Sequence, residues 1–233
     1  MFTEKKDHNL IKIELRTLIK KNTYEIKYLK TYLSSSTESL MSRELELKEK
    51  MNSDVQDEPE DERILQSLYE KEISKVSSYF FHSSLVLIYS FFENALYNIC
   101  TNIQSDIGAN FSYKDLFGNN IIKKSKYYLE LTTAINFEEA NKNWDRITQF
   151  QKLRNYIIHQ NSTIADKDQI KFNNMFPTIE IVDDNFFIKD HSLAFEFLDV
   201  ISEFLNFIYG KVHSTSFLGK AIEKQAIDLD MPF

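Results

Sequence analysis

Arg154, Asn155 and His159 stand close together in LRNYIIHQNS, residues 153–162, where an apolar-periodic stretch gives way to polar residues. Asn155 and His159 are four apart and so stack on one face of a helix, where the amide can orient an imidazole nitrogen. Arg154 and His159 are five apart, about 140° round a 3.6-residue helix. Either a bent Arg side chain or a second copy related by a two-fold axis is then needed to bring guanidinium and imidazole together. An imidazole exchanges protons near neutral pH, and a guanidinium clamps a phosphate with two parallel hydrogen bonds. When an RNA 2′-hydroxyl attacks its own phosphate, the reaction needs a proton acceptor, a proton donor and a cation for the charge on the phosphoryl oxygens. Arg, His and a neutral amide are a metal-free set for that chemistry.

Other chemistries drop out. Gly219–Lys220 lacks the partner glycine and the hydroxyl of a phosphate loop. The five histidines (His8, His82, His159, His191 and His213) include no metal-binding pair at helical spacing, and no His-Glu-x-x-His occurs. Glu138–Glu139 and Asp183–Asp184 are adjacent, so their side chains diverge on regular structure. No serine sits in a glycine-flanked elbow. The lone Cys100 makes neither an internal disulfide nor a cysteine zinc site. The expectation is therefore no metal and no cofactor.

The elements that must position the set are helices. Four Gly and three Pro in 233 residues are far below ordinary usage, about 7% and 5%, and too few for turn-dense sandwiches or glycine-loop nucleotide folds. Residues 8–33 carry Ile11, Leu15 and Leu18, then Ile26, Leu29 and Leu33, at helical spacing. Ser34, Ser35, Ser36 and Thr37 are expected to interrupt that helix and cap a second over 38–51. SDVQDEPEDE, residues 53–62, reads as a solvated acidic linker. Residues 63–107 hold no Gly or Pro and predict one long helix or two collinear ones, its second half apolar almost all round, as in the middle of a bundle. Gly108 and Gly118 bracket a loop. A shorter helix follows over 121–135 with Lys123, Lys124 and Lys126, then a long one over 137–159. Two short apolar runs around Asp183–Asp184–Asn185 within 171–188 signal a small hairpin, and 192–212 is a last helix. The fold class is all-α: a bundle of long helices with a small β-hairpin before the last. The organisation is 1–60 as a helical extension with acidic linker, 61–213 as the helical domain and 214–233 as a tail.

Net charge is −7, yet the balance is local. Residues 120–160 hold seven basic against four acidic side chains, a net of +3, and residues 180–233 hold four against ten, a net of −6. A basic motif region beside acidic flanks suits a confined RNA substrate. The N-terminus lacks the apolar run of a secretory signal, and residues 79–100, though apolar, hold His82, Glu93 and several Ser and Asn. A cytoplasmic protein without membrane contact is expected.

Arg154-Asn155-Tyr156-Ile157-Ile158-His159 resembles the Arg-x4-6-His motif, in its Arg-Asn-x-x-x-His form, of the HEPN superfamily. The resemblance spans roughly residues 63–212. In it the motif ends a long helix, Trp144 and Asp145 lie about two and a half turns upstream, an apolar helix with Phe91-Phe92-Glu93-Asn94 precedes, and a further helix follows. It implies a HEPN-like bundle forming a homodimer with a composite cleft, and a metal-independent endoribonuclease used as a toxin or effector in prokaryotic anti-phage defence, with an antitoxin or sensor protein as partner. Carried over, Arg154 and His159 are catalytic and Asn155 supports them. Glu93 is a candidate for the polar residue that members place on the preceding helix; Trp144 and Asp145 carry no catalytic role. Lys123, Lys124 and Lys126 are either a solvated face or charges that steer RNA. The same resemblance also covers members that have lost catalysis, so a non-catalytic binding module or a regulatory subunit is the alternative. Each motif residue has a plainer reading too: Arg154 and His159 as cations complementing a helix C-terminus, Asn155 as a surface amide, Glu93 as a core carboxylate paired with a base.

Overall fold

The computed structural model describes residues 8–57, 62–133 and 135–214. Among them are six α-helices: α1 (His8–Asp57), α2 (Glu62–Ile107), α3 (Ile121–Thr132), α4 (Asn141–His159), α5 (Asp166–Met175) and α6 (Ser192–Ser214). Short 3-10 turns span Tyr113–Asp115 and Phe137–Ala140. An antiparallel hairpin of β1 (Glu180–Val182) and β2 (Asn185–Phe187), with Ile181 opposite Phe186, lies immediately before α6. The fold is all-α with one small hairpin, as scarce glycine and proline and the helical periodicity demand. The tail from residue 215 and linker residues 58–61 fall outside the described residues.

The serine run does not break the first helix. α1 continues from His8 to Asp57 and takes in Ser53–Asp57 of the expected linker. Two causes are visible. Ile26, Leu33, Leu40 and Leu47 repeat every seven residues straight through the run, and Ile26, Leu33 and Leu47 are buried, so the packed stripe never loses register. The hydroxyls also turn inward along the helix. Ser34 Oγ donates to the Lys30 carbonyl at 3.1 Å, Thr37 Oγ1 to that of Leu33 at 2.7 Å and Ser39 Oγ to that of Ser35 at 3.3 Å. Such back-bonding lets Ser and Thr sit inside a helix rather than cap a new one. Beyond it α1 and α2 run antiparallel: Ser77 Oγ donates to Glu44 and the Tyr69 hydroxyl to Asp54.

The chain divides into two compact units, cut by tertiary contact rather than sequence order. Of the described residues, one gathers those up to Thr23, those within 92–141 and those from Phe204; the other gathers those within 24–91 and 142–203. α1, α2 and α6 each contribute to both. In the first unit, Ile99, Cys100, Ile103, Leu129 and Ile208 are buried, and Phe204 packs against Phe92 and Phe137 at 6.0 and 5.8 Å. Asn22, buried on α1, donates to the Tyr209 hydroxyl there. Cys100 Sγ lies 3.8 Å from the Ser125 carbonyl, and burial pushes its thiol up to about 12, which leaves no reactive thiolate at neutral pH. In the second unit, Leu85, Ile88, Phe150, Leu153, Phe172, Phe186, Phe197 and Ile201 form the core.

A continuous α1 has a direct consequence. Ser35→Pro would remove a helical hydrogen bond in mid-helix and cost about 3 kcal/mol or more, read as a lower midpoint in denaturant unfolding. A loop at that place would tolerate the proline with little change.

Candidate active site

α4 carries the motif. Ile147, Phe150 and Leu153 recur at three-residue spacing and are fully buried, and Phe150 lies flat on Phe197 of α6, ring centroids 4.3 Å apart at 17°. One turn earlier, Arg146 forks onto Glu196 of α6 through Nε and Nη2, at 2.5 and 2.8 Å. Its Nη1 donates to the Met175 carbonyl at the end of α5 at 2.7 Å and to Gln149 at 2.6 Å, while the guanidinium sits over the rings of Phe150 and Phe176. This single side chain ties α4 to both α5 and α6.

The end of α4 is closed by backbone geometry. The amides of Gln160 and Ser162 both donate to the Tyr156 carbonyl, at 3.2 and 3.0 Å, and Asn161 and Ser162 adopt left-handed conformations with φ of 49° and 62°. The reversed chain then pairs with the hairpin. Phe186 N donates to the Ser162 carbonyl at 2.9 Å, Ile164 N to that of Asp184 at 2.7 Å, and Thr163 lies opposite Asn185. The hairpin is thus the clamp on the motif's exit. Its turn residues, Asp183 and Asp184, hold φ of 48° and 64°, as a two-residue hairpin turn with matching twist requires. Residues 171–175, read from sequence as the start of the hairpin region, instead complete α5. That helix shows no apolar stripe, since Phe172 alone of its residues is buried. Asp166 and Asp168 in its first turn complement the helix dipole.

Arg154 does bend toward His159 within one chain. Its Nη1 donates to Asn155 Oδ1 at 3.2 Å and stands 3.5 Å from His159 Nε2, the outer edge of hydrogen-bond contact. A guanidinium only donates, so a hydrogen bond in this contact needs the lone pair of Nε2. Asn155 therefore orients the arginine and not, as its four-residue spacing suggested, the histidine. The guanidinium lies 5.3 Å above the ring of Tyr89, whose hydroxyl accepts from Gln151 at 2.8 Å. Arg154 Nε is buried with no hydrogen-bond partner among the described residues, while Asn155 and His159 are exposed. Tyr89 and Gln151 escaped the sequence reading because their spacing marks only the core of α2 and one face of α4.

The structure brings together Arg154, Asn155 and His159 in the second unit. The other candidates belong to the first. Glu93 is half-buried on α2; burial above all raises the phenol of Tyr113, with the Glu93 charge the smallest of the contributions. Lys123 is exposed on α3, Lys124 Nζ donates to the Lys114 carbonyl at 3.1 Å, and Lys126 pairs with Glu130 at 3.2 Å and covers the Phe137 ring.

A second histidine serves the site in another way. His82 on α2 is 7% exposed and wedged between two hydroxyls, Ser78 Oγ on Nε2 and Ser162 Oγ on Nδ1, both at 3.2 Å, with its ring edge-on to Phe186. It joins α2 to the strained exit of α4. Burial lowers its pKa from 6.5 to about 4, so it stays neutral where an exposed imidazole would charge.

Among the described residues no group of three or more His, Cys, Asp or Glu is placed to hold a metal ion, and no helix is long and apolar enough to cross a membrane. No family model, no curated protein and no solved structure matches this chain.

The depressed pKa of His82 sets a pH dependence. The unfolded chain takes up this proton near 6.5 and the folded chain only near 4, so stability is full above 6.5 and falls as pH drops through that window. The loss reaches on the order of 3 kcal/mol. His82→Gln should flatten the slope of unfolding free energy against pH between 6.5 and 4, whatever its effect on absolute stability; an unchanged slope would assign the acid loss to other groups.

Proposed function

We propose that the protein is a metal-independent endoribonuclease whose catalytic pair is Arg154 and His159, with Asn155 holding the guanidinium. The observation that carries this reading is the approach of Arg154 Nη1 to 3.5 Å from His159 Nε2 at the end of α4. A phosphate oxygen entering beside that contact would meet a cation and a proton acceptor at once. The Tyr89 ring and the Asn155 amide hold the guanidinium before substrate arrives, so little of its freedom is lost on binding.

In the proposed step His159 takes the proton of the 2′-hydroxyl, the 2′-oxygen forms a bond to phosphorus, and the bond from phosphorus to the 5′-oxygen breaks. The leaving oxygen takes up a proton, from His159 or from the same residue of a second copy, and Arg154 carries the charge on the non-bridging oxygens. The products are a 2′,3′-cyclic phosphate and a 5′-hydroxyl. The wider reading follows the resemblance to the HEPN superfamily: a cytoplasmic homodimer with a composite cleft, acting as a toxin or effector in anti-phage defence beside an antitoxin or sensor. Glu93 as a supporting group and Lys123, Lys124 and Lys126 as charges that steer RNA belong to the same reading.

The test uses the full chain with mixed RNAs in EDTA. Cleavage should leave 2′,3′-cyclic ends and should fall by about 10²–10⁴-fold in Arg154→Ala and His159→Ala. A 2′-deoxy substitution at the cut should abolish the product. Cleavage that survives both substitutions would remove Arg154 and His159 from the mechanism. A folded protein that cuts no RNA over a broad panel would favour a non-catalytic binding module or regulatory subunit.

A further inference from the structure

Beside the Arg154–His159 pair, α4 and α5 enclose a groove of about 270 Å³, open to solvent on one side. Lys152, Asn155 and Tyr156 of α4, with Gln160 just beyond its end, line one wall, and Lys171 and Met175 of α5 the other. Lys152, Asn155, Tyr156 and His159 are spaced i, i+3, i+4 and i+7, which is one stripe of a helix, so the groove lies along the face that carries the histidine. Asn155 belongs to both places. Its Oδ1 is taken by Arg154, and its Nδ2 has no partner among the described residues.

The lining has a definite chemistry. Lys152 and Lys171 stand on opposite walls, and neither has a carboxylate within ion-pair distance among the described residues, although Asp168 is three residues from Lys171. Two lysines on the walls of one small space, without a carboxylate partner among the described residues, suit an anion. The base of the groove is apolar: Phe172 is fully buried, and Tyr156 is set edge-on against it at 5.6 Å and 83°, which holds the tyrosine ring in a fixed plane. Burial and the nearby Asp168 both raise the Tyr156 phenol, so it stays a neutral donor. Side-chain amides of Asn155 and Gln160 offer donors and acceptors to a base edge, and Asp168, an acceptor only, suits a sugar hydroxyl or an exocyclic amine. An aromatic ring, amides and two cations in this small volume, just below the range for drug-sized ligand pockets, match one nucleotide.

We propose that this groove is the RNA subsite that holds a nucleotide neighbouring the scissile phosphate, with phosphate on Lys152 and Lys171 and base against Tyr156. The position of the cut rests on the ribonuclease reading above; the nucleotide chemistry of the groove does not. The groove gives α5 a role in substrate binding, and it makes Asn155 the link between the bound nucleotide and the guanidinium.

The probe is a fluorescein-labelled single-stranded RNA 12-mer of mixed sequence, titrated by fluorescence anisotropy against the full chain carrying His159→Ala at several salt concentrations. Adding Lys152→Gln with Lys171→Gln should weaken binding at least tenfold and reduce the salt slope by about 1.4, the value for two phosphate contacts on a single strand. Tyr156→Leu keeps an apolar group on Phe172 and should weaken binding about tenfold while leaving the slope unchanged. Lys167→Gln, on α5 but outside the groove, should change neither. Equal affinities in all variants, or a loss in Lys167→Gln as large as in Lys171→Gln, would overturn the proposal. Cleavage by the wild-type sequence with a KM indifferent to the groove variants would remove the groove and keep the ribonuclease. Groove-dependent binding by a chain that cuts nothing would do the reverse.

Discussion

Phe150 lying flat on Phe197, with the Arg146 guanidinium one turn away forked onto Glu196, is the contact on which the candidate site depends. An aromatic pair adds about 0.5–1.5 kcal/mol beyond its buried area, and a two-pronged Arg–carboxylate contact adds direction as well as energy. Direction is the more important part here. The stack sets how close α4 comes to α6, and the fork sets the rotation of α4 about its own axis. Because Arg146 also donates to the last carbonyl of α5, the groove wall opposite α4 is placed by the same side chain. The rotation of α4 decides whether Arg154 can lean over Tyr89 toward His159 or points elsewhere.

The exit from α4 shows backbone cost spent near a candidate site. Asn161 and Ser162 both hold left-handed conformations, which cost a side chain roughly 1–2 kcal/mol each, asparagine less. Two sources offset that cost. The hairpin supplies main-chain hydrogen bonds to Ser162 and Ile164, and His82 supplies a side-chain contact to the Ser162 hydroxyl. The result is an abrupt end to α4 immediately after His159, which keeps the imidazole exposed. The two histidines of this neighbourhood differ by environment alone. His82 is buried, bonded at both nitrogens and held neutral by burial; His159 is exposed, with one nitrogen engaged among the described residues.

Much of this was legible along the chain. The hairpin announced itself in Asp183–Asp184 between apolar runs, because the left-handed turn it needs suits Asp. α2 and α6 showed themselves by unbroken apolar periodicity. The reading failed where local preference and packing disagreed. Ser34 to Thr37 look like a cap, yet a stripe repeating every seven residues through them keeps α1 whole, and buried contacts outweigh the few tenths of a kcal/mol at stake in a serine's preference. α5 was missed for the opposite reason. It is a ten-residue, largely polar helix that buries only Phe172, and it persists because Arg146 and the chain around the hairpin hold its ends.

By itself the sequence determined the all-α class, the long helices and the placing of Arg154, Asn155 and His159 at a helix end, because those follow from residue type and spacing on one element. Tertiary structure decided the rest. It put Tyr89 under the guanidinium, turned Asn155 toward the arginine, set Lys152 and Lys171 across one groove, and drew His82 into the strained corner after α4. Each of these contacts joins residues from different helices or bends a flexible side chain through a choice of rotamers. Spacing along one helix fixes an angle about its axis, but not what packs against it.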